Sequence, residues 1–139
     1  MNEIVEKAFD LADESLLIND FPVGAVVFNE DYEIIGVGYN KRNTSNITIH
    51  HAEIIAIIEA NKKENNWNLT NKCMVTTLEP CDMCKEVIKQ ARISKVYYLV
   101  PRFKNKKPYK HTVFEKLDAR TELSKKYLEN ITNFFKDKR

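Results

Sequence analysis

Residues 76–84 read TTLEPCDMC. Its first four residues end a β-rich run, CMVTTLE at 73–79, and its last four open CDMCKEVIKQA at 81–91, whose apolar spacing is helical. Pro80 suits the seam, because it has no N–H to donate and its fixed φ favours the start of a helix. A strand that feeds directly into a helix is a building step of α/β folds. It also sets Cys81 and Cys84 one turn apart at a helix N-terminus. At this point the pair reads equally as a disulfide, a redox couple, a structural metal knuckle or half of a catalytic metal site.

Reading outward, the chain is one alternating series of elements. Ile4, Val5, Ala8, Phe9, Ala12 and Leu16 recur at spacings of three and four, which predicts a first helix. PVGAVVF at 22–28 and EIIGVGYN at 33–40 predict two strands of a hairpin, with the turn at residues 29–31. HAEIIAIIEANKK at 51–63 reads as a helix and KVYYLV at 95–100 as a strand. Leu123, Tyr127, Leu128, Ile131, Phe134 and Phe135 form the apolar stripe of a last helix. The order α-β-β-α-β-α-β-α implies a sheet covered on both faces, with parallel pairing after the hairpin. With 139 residues, 43% of them hydrophobic, the chain has enough for one sizeable core and is short for two, so a single domain over 1–139 is expected.

Charge narrows the partners. Residues 1–84 hold 6 Lys and Arg against 14 Asp and Glu, a net of −8, whereas residues 85–139 hold 16 against 6, a net of +10. A basic C-terminal part suits a polyanion such as RNA; an ordinary solvated lysine-rich face is the plain alternative. No apolar run has the length to cross a bilayer, and MNEIVEKAFDLADESLL is acidic and amphipathic, unlike a signal peptide. The expectation is a cytoplasmic protein with no membrane partner. Thiols stay reduced there, and three cysteines cannot all pair, so the disulfide reading recedes.

The stretch HHAEII at 50–55 supplies what Cys81 and Cys84 lack. His51, like Cys81, falls at a predicted helix start, where backbone N–H groups and the positive dipole end stabilise thiolates. One imidazole and two thiolates suit Zn²⁺ and leave its fourth tetrahedral position open, where the pKa of a water falls to about 7. Hydrolysis then needs a group to move protons, and Glu53 lies two residues from His51. Ala52 between them is small enough for a close approach. A thioredoxin-like pair would give His51 and Glu53 no role, and a closed zinc site with His50 as fourth ligand would leave Glu53 unexplained. Cys73, in an apolar strand, reads as a core residue.

His51-Ala52-Glu53 followed by Pro80-Cys81-Asp82-Met83-Cys84 is similar to the signature of the zinc-dependent nucleoside and nucleobase deaminases, for which these zinc and glutamate roles are already known. With FPVGAVVF, IIGVGYN, the run from Trp67 to Cys84 and RISKV at 92–96, the chain resembles the bacterial tRNA-specific adenosine deaminases over roughly residues 1–100, within the cytidine/deoxycytidylate deaminase superfamily. The resemblance implies a three-layer α-β-α sandwich with a central mixed sheet, cytidine deaminase-like, and one Zn²⁺ per chain on His51, Cys81 and Cys84. It implies hydrolysis of adenosine to inosine in tRNA at the wobble position, with Glu53 as proton shuttle, in a homodimer. It further implies that Asn40 holds the base or ribose, that Phe21 and Pro22 line the pocket, and that the backbone near Ala52 and Cys81 meets the substrate edge. Arg102, Lys104, Lys106 and Lys107, interleaved with Phe103 and Tyr109, are the candidate RNA contacts; DNA is not expected. Two segments depart from the family pattern. ITIH at 47–50 replaces a small-residue run, and PRFKNKKPYKH at 101–111 replaces a glycine-containing loop with an Asn-His pair. PCDMC and GYN also occur in cytosine and deoxycytidylate deaminases, so a free nucleobase or nucleotide (cytosine, guanine or dCMP) is the alternative substrate.

Overall fold

The computed structural model describes residues 1–102, 112–116 and 121–136. Its contacts divide the chain into two compact units, Met1–Lys104 and Asn105–Arg139. The first unit contains α1 (Asn2–Leu17), β1 (Gly24–Phe28), β2 (Ile34–Tyr39), a short α2 (Arg42–Ser45), α3 (Ala52–Glu64), β3 (Cys73–Leu78), α4 (Asp82–Gln90) and β4 (Lys95–Val100). The second contains α5 (Thr121–Lys136). The stripe Leu123, Tyr127, Leu128, Phe134 and Phe135 on α5 is exposed.

The four strands form one mixed sheet in the order β2-β1-β3-β4. β1 pairs antiparallel with β2 and also with β3, and β3 pairs parallel with β4. Among the described residues parallel pairing is thus confined to β3–β4: the step from β2 to β3 returns the chain to the far side of β1, antiparallel to it. The predicted order is otherwise met, with α2 as an addition in the segment between β2 and α3.

Alternation along β1 builds the layers. Val26 and Phe28 pack with Ile4, Ala8 and Leu11 of α1 and with Val75, while Ala25 and Val27 pack with Ala52, Ala56, Ile57 and Ala60 of α3 and with Ile88 of α4. One helix covers one face and two cover the other, giving a three-layer α/β sandwich. The buried stripe of α1 is Ile4, Ala8, Leu11, Ala12 and Ser15, so Phe9 and Leu16 of the predicted stripe face solvent instead. Among the described residues β4 is the last strand of the sheet on that side, and its Tyr97, Tyr98, Leu99 and Val100 are exposed.

Glycine decides how close the helices come. A Cβ on Gly36 would meet the Ala56 carbonyl oxygen and lie 2.8 Å from Ala60 N; one on Gly38 would meet the Ala52 carbonyl oxygen and lie 2.7 Å from Ala56 N. α3 presents Ala52, Ala56 and Ala60, one residue per turn, to these two glycines, so helix and strand meet backbone to backbone. Gly24 does the same beneath Ala8 and Ala12 of α1. Because the obstructing atoms are backbone, they have little freedom to yield. Gly38→Ala is expected to cost about 1–3 kcal/mol of overpacking, or more. Chemical denaturation that gives the parent's midpoint and slope would show that α3 does not lie on β2 in this way.

Candidate active site

His51 and Cys81 are the N-cap residues of α3 and α4, both with extended backbone, and neither side chain caps its own helix. Both side chains are therefore available to turn toward the gap between the helix starts. His51 Nδ1 lies 3.6 Å from Cys81 Sγ and 3.4 Å from Cys84 Sγ. The three donor atoms all lie within 4.8 Å of one another, and among the described residues they form the cluster that could hold a metal ion. Tetrahedral zinc, with bonds of about 2.3 Å to sulfur and about 2.0–2.1 Å to nitrogen, requires a nitrogen–sulfur separation of about 3.5–3.6 Å. The observed spacings and the N/S donor set fit that ion.

The two thiols share a proton unequally. The hydrogen bond from Cys84, working against burial, brings the Cys81 pKa down to about 4, with further help from the Cys84 backbone N–H and from His51. The same hydrogen bond, burial and the neighbouring Glu53 charge push Cys84 up. A stable thiolate on Cys81 is the form that binds metal, and a dication displaces the remaining proton. Glu53, in the first turn of α3, is 3% exposed. Burial raises its pKa, against the pull of its own backbone N–H, the Cys84 thiol and His51. His50 is not part of the cluster; its Nδ1 sits 2.9 Å from Ser45 Oγ, and its carbonyl accepts from Lys41 N–H at 3.0 Å.

A cavity of about 240 Å³ opens on this cluster, lined by Phe21, Val23, Asn40, Arg42, Asn43, His51, Ala52, Glu53 and Arg102. Phe21, Asn40, Ala52 and Arg102 of the sequence-predicted contacts are among them. Pro22 is not: it is exposed, and Val23 lines the cavity in its place. Lys104, Lys106 and Lys107, with Phe103 and Tyr109, lie outside the described residues.

Sequence reasoning missed Asp20, which organises one wall of the cavity. Its Oδ1 accepts from Phe21 N–H at 2.9 Å and from Asn40 Nδ2 at 3.3 Å; its Oδ2 accepts from Asn43 N–H and Thr44 N–H, both at 3.0 Å, and from Thr44 Oγ1 at 3.1 Å. Asn40 Nδ2 also donates to the Phe21 carbonyl at 3.0 Å, and Asn40 Oδ1 accepts from Arg42 N–H at 3.1 Å. Both amide hydrogens of Asn40 are thereby used inside the protein. An acid directly before the apolar strand was the available signal, but apart from the adjacent Phe21 its partners are 20 or more residues away.

The family described as the cytidine and deoxycytidylate deaminase zinc-binding region matches residues 1–100. This chain belongs to that family. A relative, the tRNA-specific adenosine deaminase of Streptococcus pyogenes serotype M18 (strain MGAS8232), is 45% identical over 94 residues, covering 68% of this chain and 58% of that protein. The chain therefore matches little more than half of that relative's length. Among solved structures, one from studies of A-to-I editing by tRNA:A34 deaminases at the wobble position matches with a TM-score of 0.70 and 30% identity over 73% of this chain and 77% of its own. The guanine deaminase of Bacillus subtilis matches with a TM-score of 0.79 and 25% identity over 95% of this chain and 93% of its own. Among the described residues, no helix is long and apolar enough to cross a membrane.

The Asp20 hub carries a prediction. Burial pushes its pKa up, but the hydrogen bonds from Thr44, Phe21 and Asn43 outweigh this and hold it below the ordinary 3.8. A depressed folded pKa means that the ionised carboxylate stabilises the fold above pH 3.8 and that this contribution fades as pH falls through the folded value. Asp20→Ala, which strands several donors, is expected to cost about 1–3 kcal/mol at pH 7. Urea unfolding should show the gap between parent and variant narrowing below pH 3.8; a gap that stays constant with pH would refute the role.

Proposed function

We propose that this chain hydrolyses adenosine to inosine in tRNA, at the anticodon wobble position. The observation that carries the reading is the meeting of His51, Cys81 and Cys84 beside buried Glu53 at one cavity, in a chain 45% identical to a protein named tRNA-specific adenosine deaminase. His51 Nδ1 and the sulfurs of Cys81 and Cys84 would hold one zinc per chain. When bound, it supplies Lewis acidity that lowers the pKa of a water to about 7. Glu53 takes the proton from the attacking water and passes it to the departing amine as the carbon–nitrogen bond breaks and ammonia leaves. Burial raises its pKa, which makes its carboxylate a readier proton acceptor than an exposed one. Asn40 offers Oδ1 to a base N–H or a ribose hydroxyl, Phe21 offers a ring for stacking, and Ala52 leaves room for the base edge. Arg102, Lys104, Lys106 and Lys107 meet the RNA backbone. An anticodon-loop base is already partly unstacked, so withdrawing it costs less than from a duplex.

A second reading is a deaminase of a free nucleobase. The likeness to the Bacillus subtilis guanine deaminase, which extends over 95% of this chain, favours it. Under either reading the protein works in the cytoplasm.

Parallel assays on tRNA, guanine, cytosine and dCMP decide between the readings: inosine appearing in tRNA supports the first, and release of ammonia from a free base alone supports the second. Metal analysis should find one zinc per chain in the parent and a clear loss in Cys84→Ser; full occupancy in that variant would sink the ligand assignment. Glu53→Ala should keep its zinc and lose about 10²–10⁴-fold in kcat. Turnover within tenfold of the parent would overturn the shuttle role.

We also propose a homodimer, since a small α/β unit with exposed apolar helix and strand surface has area left to bury. Sedimentation at micromolar concentration should give twice the chain mass of 16.3 kDa. A single 16.3 kDa species would exclude it.

A further inference from the structure

Asn40 lines the cavity, and the way it is held fixes which of its amide atoms a ligand can meet. It is 8% exposed, and its backbone N–H donates to the Val23 carbonyl at 3.0 Å. A primary amide has two hydrogens to give and an oxygen with two lone pairs. Both hydrogens are spent inside the protein: Nδ2 donates to Asp20 Oδ1 at 3.3 Å and to the Phe21 carbonyl at 3.0 Å. Oδ1 accepts the Arg42 N–H at 3.1 Å, which leaves one lone pair as the polar capacity still open.

Asp20 decides this orientation. It is 5% exposed, and its oxygens accept from the N–H groups of Phe21, Asn43 and Thr44, from the Thr44 hydroxyl and from Asn40 Nδ2. Only an ionised carboxylate accepts on every side in this way. Turning the Asn40 amide over would set its oxygen against the Asp20 carboxylate and the Phe21 carbonyl, and its NH₂ against the Arg42 N–H. All three contacts would turn repulsive at a place shielded from water, where such mismatches cost most. A free amide can rotate to suit a donor or an acceptor; this one cannot.

We infer that Asp20 is a positioning residue that locks Asn40 as a hydrogen-bond acceptor, so that at this wall the cavity selects ligands that present an O–H or N–H group. The inference rests on the reading that a nucleobase is deaminated in this cavity, and it narrows what that ligand must offer. The ring nitrogens of adenine are acceptors and its amino group is the one that leaves, so an adenine nucleoside must offer a sugar hydroxyl. Guanine can offer its ring N–H or its 2-amino group. A carboxylate that merely held the wall together would leave this donor rule untouched.

Two measurements on the full chain, zinc-loaded and carrying Glu53→Ala so that ligands are not consumed, test the lock. The first needs no ligand and follows the Asn40 side-chain amide by nitrogen-15 NMR. Its two hydrogens should exchange with water about tenfold more slowly, or more, than those of the exposed asparagines. Asp20→Asn should remove most of that protection while zinc content stays that of the parent. Asn40 hydrogens that exchange as fast as exposed ones in the parent overturn the lock, and protection that survives in a folded Asp20→Asn removes Asp20 from it. The second measurement is calorimetry with adenosine, guanine and a short single-stranded RNA holding one adenosine. Each is compared with analogues that lose one donor: a sugar hydroxyl changed to fluorine, the 2-amino group to hydrogen, or a ring N–H to N–CH₃. At least one change should weaken binding about tenfold in the protein with Asp20, and the same change about threefold or less in Asp20→Asn. No analogue penalty above about twofold, or no binding by any of the three ligands, overturns the donor rule. So does a full penalty that persists in a folded Asp20→Asn. The measurements with Asp20 in place decide the matter even if that variant does not fold. If tRNA is not deaminated but the donor penalty follows Asp20, the tRNA reading fails and the lock stands.

Discussion

The backbone of α3 lies directly on β2, and the site depends on that contact. Ala52, Ala56 and Ala60 present no more than a methyl group, and Gly36 and Gly38 present nothing. The approach sets how close α3 lies to the sheet, because any larger side chain on the glycines would meet α3 backbone atoms. His51, the N-cap, and Glu53, in the first turn, take their positions from the sheet through this contact. The opposite wall is set by β3, which ends at Leu78 and passes through Pro80 to the start of α4, where Cys81 is the N-cap. Two helix starts aimed at one gap bring the three donor atoms together without any disulfide or long connecting loop.

The electrostatics of the gap follow from this arrangement. Burial works against charge on Glu53, while hydrogen bonding within the cysteine pair concentrates negative charge on Cys81. These opposite tendencies have different chemical uses. A settled thiolate is a metal ligand, and a carboxylate that holds its proton more readily than usual is a proton carrier. Both arise within three residues of a helix start, where the dipole favours negative charge.

The segment from Asn40 to His51 has little regular structure of its own, with only the single turn of α2. It is held by side chains. Asp20 gathers Phe21, Asn40, Asn43 and Thr44, and Ser45 contacts His50. The cavity wall formed by Phe21, Asn40, Arg42 and Asn43 is thus fixed by one buried carboxylate rather than by helix or strand hydrogen bonds. Local stability in this segment should follow the protonation of Asp20.

By itself the sequence determined the features that depend on neighbours in the chain. The strand-to-helix seam at TTLEPCDMC, the helix over HAEIIAIIEANKK and the hairpin of PVGAVVF with EIIGVGYN follow from spacings of two, three and four residues and from the place of one proline. The ligand types and the glutamate beside them were legible for the same reason, since chemistry travels with residue identity. The tertiary structure alone decided which His51 nitrogen faces the sulfurs, that β3 lies antiparallel to β1, that Val23 and not Pro22 lines the cavity, and that Asp20 and Arg42 belong to the site. These depend on pairs far apart in the chain, such as the Gly24 N–H donating to Thr77 Oγ1 across 53 residues. No local periodicity encodes such a pair. It arises only when the sheet order sets β1 against β3 and the alanine face of α3 settles onto the glycines of β2.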